Sequence, residues 1–277
     1  MTAFNEPNDK PATLVVKLGG GEGLDVRRCV DDLATLARAR PLVVVHGVSA
    51  VADRLAAARG VLVRTLTSPA GYTSRYTDPA MRDIYVEAAE QVNAGLVEAL
   101  RARGLDARGL TGAQIAIAGA RKGAIRAVVN GRVRLVHDDY TGSITGVDAA
   151  RLLALLEAGR VPVVPPLASS TADGLLNIDG DRAAAMIAAA LGAGELVILS
   201  NVRGLYRNFP DEASFVEFVP AAQIARAMDW AQGRMKRKVL GAQEALNGGV
   251  PRVIIGDGRA ANPVTHALNG GGTVFAA

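Results

Sequence analysis

The sequence predicts an α/β protein with a doubly wound, mainly parallel sheet, and three observations predict it. First, short apolar runs rich in β-branched residues recur along the chain: Leu14-Val15-Val16, Leu42-Val43-Val44-Val45, Val163-Val164, Leu196-Val197-Ile198-Leu199 and Val253-Ile254-Ile255. Such runs suit parallel strands buried on both faces. Second, stretches with apolar residues at helical spacing separate them, so strand and helix alternate. Third, the runs end in glycine or small polar residues, as in Lys17-Leu18-Gly19-Gly20-Gly21, His46-Gly47, Ser200-Asn201 and Gly256-Asp257-Gly258. Open α/β sheets bind ligands at such carboxyl ends.

Lys17 closes the first strand and is expected to bring charge to a phosphate, while the glycines allow a tight turn and close approach to a ligand. No G-x-x-x-x-G-K-[ST] or G-x-G-x-x-G pattern is present, so Walker-type and dinucleotide sites are excluded. Residues 26–38 read as a helix, with Cys29 on its buried face. As the only cysteine, Cys29 can form no internal disulfide. The second strand, 42–46, ends in His46, read as a hydrogen-bonded structural histidine. The helix at 49–59 would aim its first amides beyond the first strand.

The polar stretch 68–78 contains Arg75, whose planar fork suits a carboxylate. Thr77 or Asp78 can cap a helix running from Pro79 to about Arg103. Residues 121–139 break the alternation. Arg121, Lys122, Arg126, Arg132 and Arg134 alternate with Ile125, Val128, Val129, Val133 and Val136 around Asn130-Gly131. This predicts a projecting β-hairpin with one basic face, either solvated or docking an acidic partner. A helix at 147–156 and a strand at 161–165 follow. The polar segment 169–173 is the expected boundary between lobes at 12–172 and 173–277. Asp181 is expected to cap an alanine-rich helix at 182–191, and Asp179 with Asp181 could instead orient lysines or magnesium. A strand at 195–202, a loop with Gly204, Leu205 and Tyr206, a basic cluster at 234–238, a helix to 246, a strand at 252–258 and a sheet-closing segment at 270–275 complete the chain.

Aromatic residues are 4% of the sequence, so Ala, Val, Leu and Ile must build the core. No apolar run reaches the roughly 20 residues that cross a bilayer. Residues 1–11 lack the features of a signal peptide, so a cytoplasmic protein is expected. The net charge of +4 comes from scattered arginines not interleaved with aromatics, which argues against a nucleic-acid partner. His137-Asp138-Asp139 fits no defined metal spacing.

Lys17-Leu18-Gly19-Gly20, Val45-His46-Gly47, Arg75, Asn177 four residues before Asp181, Ser200-Asn201-Val202 with Gly204-Leu205, and Lys238 stand in the order seen in the amino acid kinase family. The chain resembles that family from Leu14 to Phe275. Longer strings are similar to its acetylglutamate kinase branch: Gly71-Tyr72-Thr73-Ser74-Arg75-Tyr76-Thr77-Asp78, Asp139-Tyr140-Thr141-Gly142 and Gln232-Gly233-Arg234-Met235-Lys236-Arg237-Lys238. Within that branch they resemble the kinases that phosphorylate α-aminoadipate attached to the acidic amino-group carrier protein LysW.

The resemblance implies an open three-layer α/β/α sandwich, with acceptor bound by the N-terminal lobe and ATP by the C-terminal lobe. Lys17 and Lys238 would flank the transferring phosphoryl group, and Asp181 would hold both ammonium groups. Gly19 and Gly20 would cradle phosphates, with Ser200, Asn201, Gly204, Leu205 and Tyr206 near the nucleotide. Gly47, Val48, Ser49, Arg75 and Asn177 would bind the acceptor. Lys122, Arg126, Arg132 and Arg134 would meet the carrier, and ATP would arrive with Mg2+ that no protein side chain ligates. A homodimer is expected. The acceptor carboxylate, with a pKa near 4.3, is already ionised, so the chemistry needs positive charge and alignment rather than a base. Val48 stands where the family has a second glycine after the histidine, and Thr111-Gly112-Ala113-Gln114 lacks the usual Asp-Gly. Two alternatives remain, a free N-acetylglutamate kinase and an inert binding protein on the same fold. The short N-terminus predicts no feedback by arginine.

Overall fold

The computed structural model describes residues 11–129 and 131–277. The expectations placed on residues 1–10 and on Asn130 lie outside the described residues. The chain opens as a β/α alternation: β1 (Leu14–Leu18), α1 (Val26–Leu36), β2 (Leu42–His46) and α2 (Ser49–Ala58). A small hairpin, β3 (Thr65–Thr67) and β4 (Thr73–Arg75), leads to the long α3 (Pro79–Arg101) and to β5 (Ala107–Gly109). Next come β6 (Ile117–Arg121), the hairpin β7 (Ile125–Val129) with β8 (Arg132–Val136), β9 (Gly142–Val147), α4 (Ala149–Glu157) and β10 (Val161–Val164). The second half holds β11 (Leu167–Ser170), β12 (Gly174–Asn177), α5 (Gly180–Ala190), β13 (Glu195–Ser200), β14 (Phe218–Pro220), α6 (Ile224–Trp230), α7 (Met235–Asn247), β15 (Arg252–Asp257), α8 (Pro263–Leu268) and β16 (Thr273–Ala276).

Eight strands form the central sheet, in the order β14-β16-β15-β13-β1-β2-β10-β5. Every pair is parallel except β15 with β16. Successive strand residues point to opposite faces. Leu14, Val16 and Leu18 pack with Val30 and Leu33 of α1, Leu96 of α3 and Val264 of α8. Val15 packs instead with Ala183 and Ile187 of α5 and Val239 of α7. This is the three-layer sandwich, and its parity puts Lys17 on the face of Val15, toward α5. Cys29 is buried in the α1 layer, and burial pushes its thiol up to about 12. Among the described residues no helix is long and apolar enough to cross a membrane.

Among the described residues four α-helix starts are capped by aspartate: Asp25, Asp78, Asp148 and Asp179. Asp78 caps α3 with Pro79 in the first turn, as expected. The cap of α5 differs from expectation. Asp179 Oδ1 accepts the amides of Asp181 and Arg182, both at 3.0 Å, and Asp181 lies inside the first turn. The basic cluster at 234–238 also lies largely within a helix, α7.

One further expectation is corrected, that of a hairpin with one basic face. The polar stretch 68–78 contains β4 and the turn of the β3–β4 hairpin. The segment 169–173 falls at the turn of a hairpin. Ser169 and Ser170 pair with Leu175 and Gly174 in an antiparallel hairpin that belongs to a second sheet, β12-β11-β6-β9. A cut at 172 therefore splits a hairpin. The β7–β8 hairpin is present, but it has no single basic face. Pairing of Arg126 with Leu135 and of Val128 with Val133 sets one face, while Arg134 opposite Ala127 and Arg132 opposite Val129 lie on the other.

Candidate active site

Lys17 reaches α5 from the end of β1, and α7 packs beside α5 on the same face of the sheet. Gly241 of α7 makes this approach possible, since a Cβ there would stand 3.1 Å from the Asp181 carbonyl oxygen. Lys238, one turn earlier, reaches the same carboxylate. Lys17 Nζ lies 2.7 Å from Asp181 Oδ1, and Lys238 Nζ lies 3.1 Å from Oδ2 and 3.3 Å from Oδ1. The three residues keep only 6%, 8% and 7% of their exposure for Lys17, Lys238 and Asp181. Burial alone would push the Asp181 carboxyl up, but the Lys17 and Lys238 ammonium groups overcome it and hold it well below the usual carboxylate range. Burial pulls the Lys238 ammonium down, and Asp181 opposes that. One negative charge thus holds two positive ones in the lining of a cleft.

The cleft has a volume of about 600 Å³, a size that suits a small-molecule site. Seven of its lining residues are cationic and four acidic, an excess that draws anions. It brings together Lys17, Lys238 and Asp181 with Gly19, Gly20, Gly47, Val48, Ser49, Arg75, Asn177, Ser200, Asn201, Gly204, Leu205 and Tyr206. Two loops form its floor. A Cβ on Gly20 would lie 2.2 Å from the Gly47 carbonyl carbon, and one on Gly47 would lie 2.5 Å from the Gly20 nitrogen. These glycines are needed because the two strand ends press on each other. The Ala50 amide also donates to the Gly20 carbonyl, at 2.7 Å, and ties α2 to the end of β1.

Val48 fits this loop without distortion. Its φ of −138° is open to any residue, and its side chain is buried with Ala52, Tyr85, Ala88, Ala89 and Leu167. Arg75 Nη1 sits 2.7 Å from Asp53 Oδ1. Asn177 donates to Thr77 Oγ1 at 2.9 Å, and the Thr77 amide donates to Asp139 Oδ2 at the same distance. Asp139 is therefore a buried structural acceptor. On the other side, Leu205 N donates to Thr273 Oγ1 at 2.8 Å, pinning the loop after β13. Tyr206 packs edge-on against Phe209 and Phe215 and donates to Glu212.

His46 points to the α3 face. Asn93 Nδ2 donates to His46 Nε2 at 3.1 Å and to the Val163 carbonyl at 2.9 Å, so Nδ1 carries the proton toward the Gly47 carbonyl. Burial lowers the imidazole to about 4, against that hydrogen bond, and nearby Lys17 adds to the lowering. It is the structural histidine expected from the sequence.

Lys122 departs from expectation. It lines the cleft, whereas Arg126, Arg132 and Arg134 do not. Its backbone amide donates to the Thr141 carbonyl at 3.2 Å. Burial lowers its ammonium, and Arg237 and Arg182 lower it further. Sequence reasoning also missed Asp179 and Arg237 as partners: Arg237 Nη1 meets Asp179 Oδ2 at 3.0 Å, and its guanidinium donates to the Thr73 carbonyl. That contact ties α7 to the β3–β4 hairpin across the cleft. Trp230 and Phe209 line the side beside Tyr206. No local pattern marks them.

The model of the amino acid kinase family matches residues 12–257. A LysW-aminoadipate kinase of Deinococcus radiodurans is 45% identical over 264 residues, covering 94% of this chain and 90% of that protein. One of the same name from Thermus thermophilus is 44% identical over 266 residues, 94% of this chain and 99% of that protein. Among solved structures, N-acetylglutamate synthase from Neisseria gonorrhoeae, complexed with coenzyme A and N-acetyl-glutamate, superposes with a TM-score of 0.79 at 29% identity. That match takes in 97% of this chain, which spans only 60% of the synthase. The chain belongs to the amino acid kinase family and is an ATP-using phosphotransferase with a carboxyl group as acceptor.

Proposed function

We propose that this kinase phosphorylates the side-chain carboxylate of α-aminoadipate joined through its amino group to the acidic carrier protein LysW, giving an acyl phosphate for lysine synthesis. LysW-linked glutamate, one methylene shorter, is a second acceptor of the same type and would serve arginine synthesis. The observation that carries the reading is the pair of buried ammonium groups, Lys17 and Lys238, held by Asp181 at the meeting point of both halves of one cationic cleft. Two relatives near 45% identity bear the matching name.

The acceptor lies along Gly47, Val48, Ser49, Arg75 and Asn177, with its α-carboxylate on Arg75. The nucleotide lies along Gly19, Gly20, Ser200, Asn201, Gly204, Leu205 and Tyr206. The ionised side-chain carboxylate attacks the γ-phosphorus, and the bond from that phosphorus to the bridging oxygen breaks as ADP leaves. Two anions must meet, so the barrier falls with positive charge fixed in place. Lys17 and Lys238 supply that charge, and Asp181 keeps them from repelling apart. Both Asp181 oxygens are taken by ammonium groups, so a magnesium ion would be held by nucleotide oxygens, where it neutralises phosphate charge. The protein acts in the cytoplasm, as a homodimer.

N-acetylglutamate as a free acceptor is the second reading, favoured by the likeness to a synthase complexed with N-acetyl-glutamate. An inert protein is disfavoured, because Val48 packs without strain and the charged triad is intact. The test is ADP release and hydroxamate trapping of the product with magnesium-ATP and each acceptor. Turnover of the carrier-linked acceptor is expected. Turnover of N-acetylglutamate alone would favour the second reading, and ATP binding with no turnover the inert one.

A further inference from the structure

We propose that Arg237 is a positioning residue that couples the two halves of the cleft, so that a bound nucleotide orders the hairpin carrying Arg75 and each substrate raises the affinity for the other. The coupling deepens the proposed function and rests on it only for the ligand that Arg75 takes.

The β3–β4 hairpin is a two-stranded sheet of its own, with three residues in each strand. So short a ribbon has little stability by itself and is held by what it touches. Its Arg75 end is tied to α2, through Asp53 at 2.7 Å and the Ser49 carbonyl at 3.5 Å. The opposite end of β4 and the turn before it reach the other half of the cleft. Arg237 Nε and Nη2 donate to the Thr73 carbonyl at 3.1 and 2.9 Å. The Tyr72 hydroxyl lies 3.9 Å from Met228 Sδ of α6. Thr73, Ser74 and Arg75 all line the cleft.

The rest of the same guanidinium is equally fixed. Arg237 Nη1 donates to Asp179 Oδ2 at 3.0 Å, while Asp179 Oδ1 holds the amides of Asp181 and Arg182. Arg237 directly precedes Lys238, and Asp179 stands two residues before Asp181. One planar fork therefore joins the starts of α5 and α7, which carry Asp181 and Lys238, to the strand that carries Arg75. A phosphate that settles between Lys17 and Lys238 fixes α5 and α7 and, through Arg237, the hairpin. Linkage makes the effect mutual: a ligand that fixes Arg75 and its strand favours the placement of α7 that holds the nucleotide.

The test is hydrogen–deuterium exchange of the full chain with and without magnesium and a non-hydrolysable ATP analogue. In the wild type the analogue is expected to slow exchange across residues 65–75 by about fivefold or more. In Arg237→Met that ratio should fall below about twofold, while the affinity for the analogue alone changes less than about threefold. A purely structural arginine would instead raise exchange in the free and bound proteins alike and leave the ratio unchanged. Arg237→Lys keeps a charge beside Asp179 but lacks the fork, so it should also lose most of the ratio; it decides the matter if Arg237→Met fails to fold. In steady-state kinetics the KM for the carrier-linked acceptor should rise by about tenfold, more than kcat falls. No slowing in the wild type, an undiminished ratio in the folded variant, or a fall in kcat with KM unchanged would overturn the proposal. A nucleotide effect on the hairpin that depends on Arg237, in a protein that fails to phosphorylate carrier-linked α-aminoadipate, would overturn the proposed function and leave the coupling standing.

Discussion

Asp179 and Asp181 stand two residues apart and divide two tasks: the Asp179 carboxylate takes the amides that begin α5, which leaves the Asp181 carboxylate to two ammonium groups. The division predicts unequal effects. Asp181→Asn keeps the shape but leaves two buried ammonium groups without a counter-charge. It should cost about 3–5 kcal/mol of stability and lower kcat by about 10²-fold or more. Asp179→Ala removes a helix cap, worth about 1 kcal/mol, and loosens Arg237. Denaturant unfolding and steady-state kinetics measure both. Equal losses in the two variants would refute the division.

Lys17→Ala should lower kcat by about 10²–10³-fold, the effect of losing one fixed charge-stabilising donor. The fold should survive, because Asp181 keeps Lys238. Adding Lys238→Met to Lys17→Ala should cost much less than the product of the single effects, since the two lysines act as a unit. Circular dichroism checks the fold. A folded, fully active Lys17→Ala protein would reduce the glycine-rich strand end to a turn.

Val48→Gly tests whether the missing family glycine matters. The Val48 side chain is 2% exposed and packs on Tyr85 and Leu167. Its loss, with the freedom a glycine adds to the unfolded chain, should cost about 2–3 kcal/mol. The acceptor KM should not improve. A tenfold lower KM in the variant would show that the side chain obstructs the acceptor.

His46 predicts a loss of stability in mild acid. Its folded value is about 4, against about 6.5 unfolded. Between these values the unfolded chain binds the proton and the folded one does not. Stability is therefore full above about pH 6.5 and falls toward pH 4, by up to about 3 kcal/mol. Urea midpoints at intervals across that range measure the slope. His46→Asn should flatten it, whatever its effect on the overall level. An unchanged slope in the variant would place the titrating group elsewhere.

Much of this was legible along single strands. The apolar runs, their polar ends and the Asp78-Pro79 helix start are local, and they placed Lys17 at a strand's carboxyl end and Arg75 just before a helix, whereas Asn177 came from the family resemblance alone. What escaped depends on how strands meet. Arg126, Arg132 and Arg134 share even numbers, which reads as one face. In the hairpin, Ala127 opposes Arg134 and Ile125 opposes Val136. Crossing the turn thus swaps the parity, and an even residue on one strand shares its face with odd residues on the other. Lys122 falls in the break between β6 and β7, where the alternation has no fixed phase. Asp179 and Asp181 both suit a helix start, and only the packing of α7 on α5 tells which one is free.

The split hairpin sharpens the carrier-docking prediction. On the face of Arg126, Val128, Val133 and Leu135 are 41%, 50% and 58% exposed. An apolar band beside a cation is the composition of a protein interface, where aliphatic contact gives affinity and charge steers the encounter. On the other face Arg132 and Arg134 flank the fully buried Ala127, so that face is already partly covered. Arg126→Glu should therefore reduce kcat/KM for the carrier-linked acceptor by about tenfold at low salt, more than Arg132→Glu does. The deficit should shrink as ionic strength rises and the Debye length falls from about 10 Å at 0.1 M toward 3 Å at 1 M. Val133→Asp should also weaken docking, and its effect should persist at high salt because it removes apolar contact. If Arg132→Glu proves the more harmful, the carrier meets the opposite face. If neither reversal changes the carrier reaction, the hairpin is a solvated surface and docking lies elsewhere on the rim of the cleft.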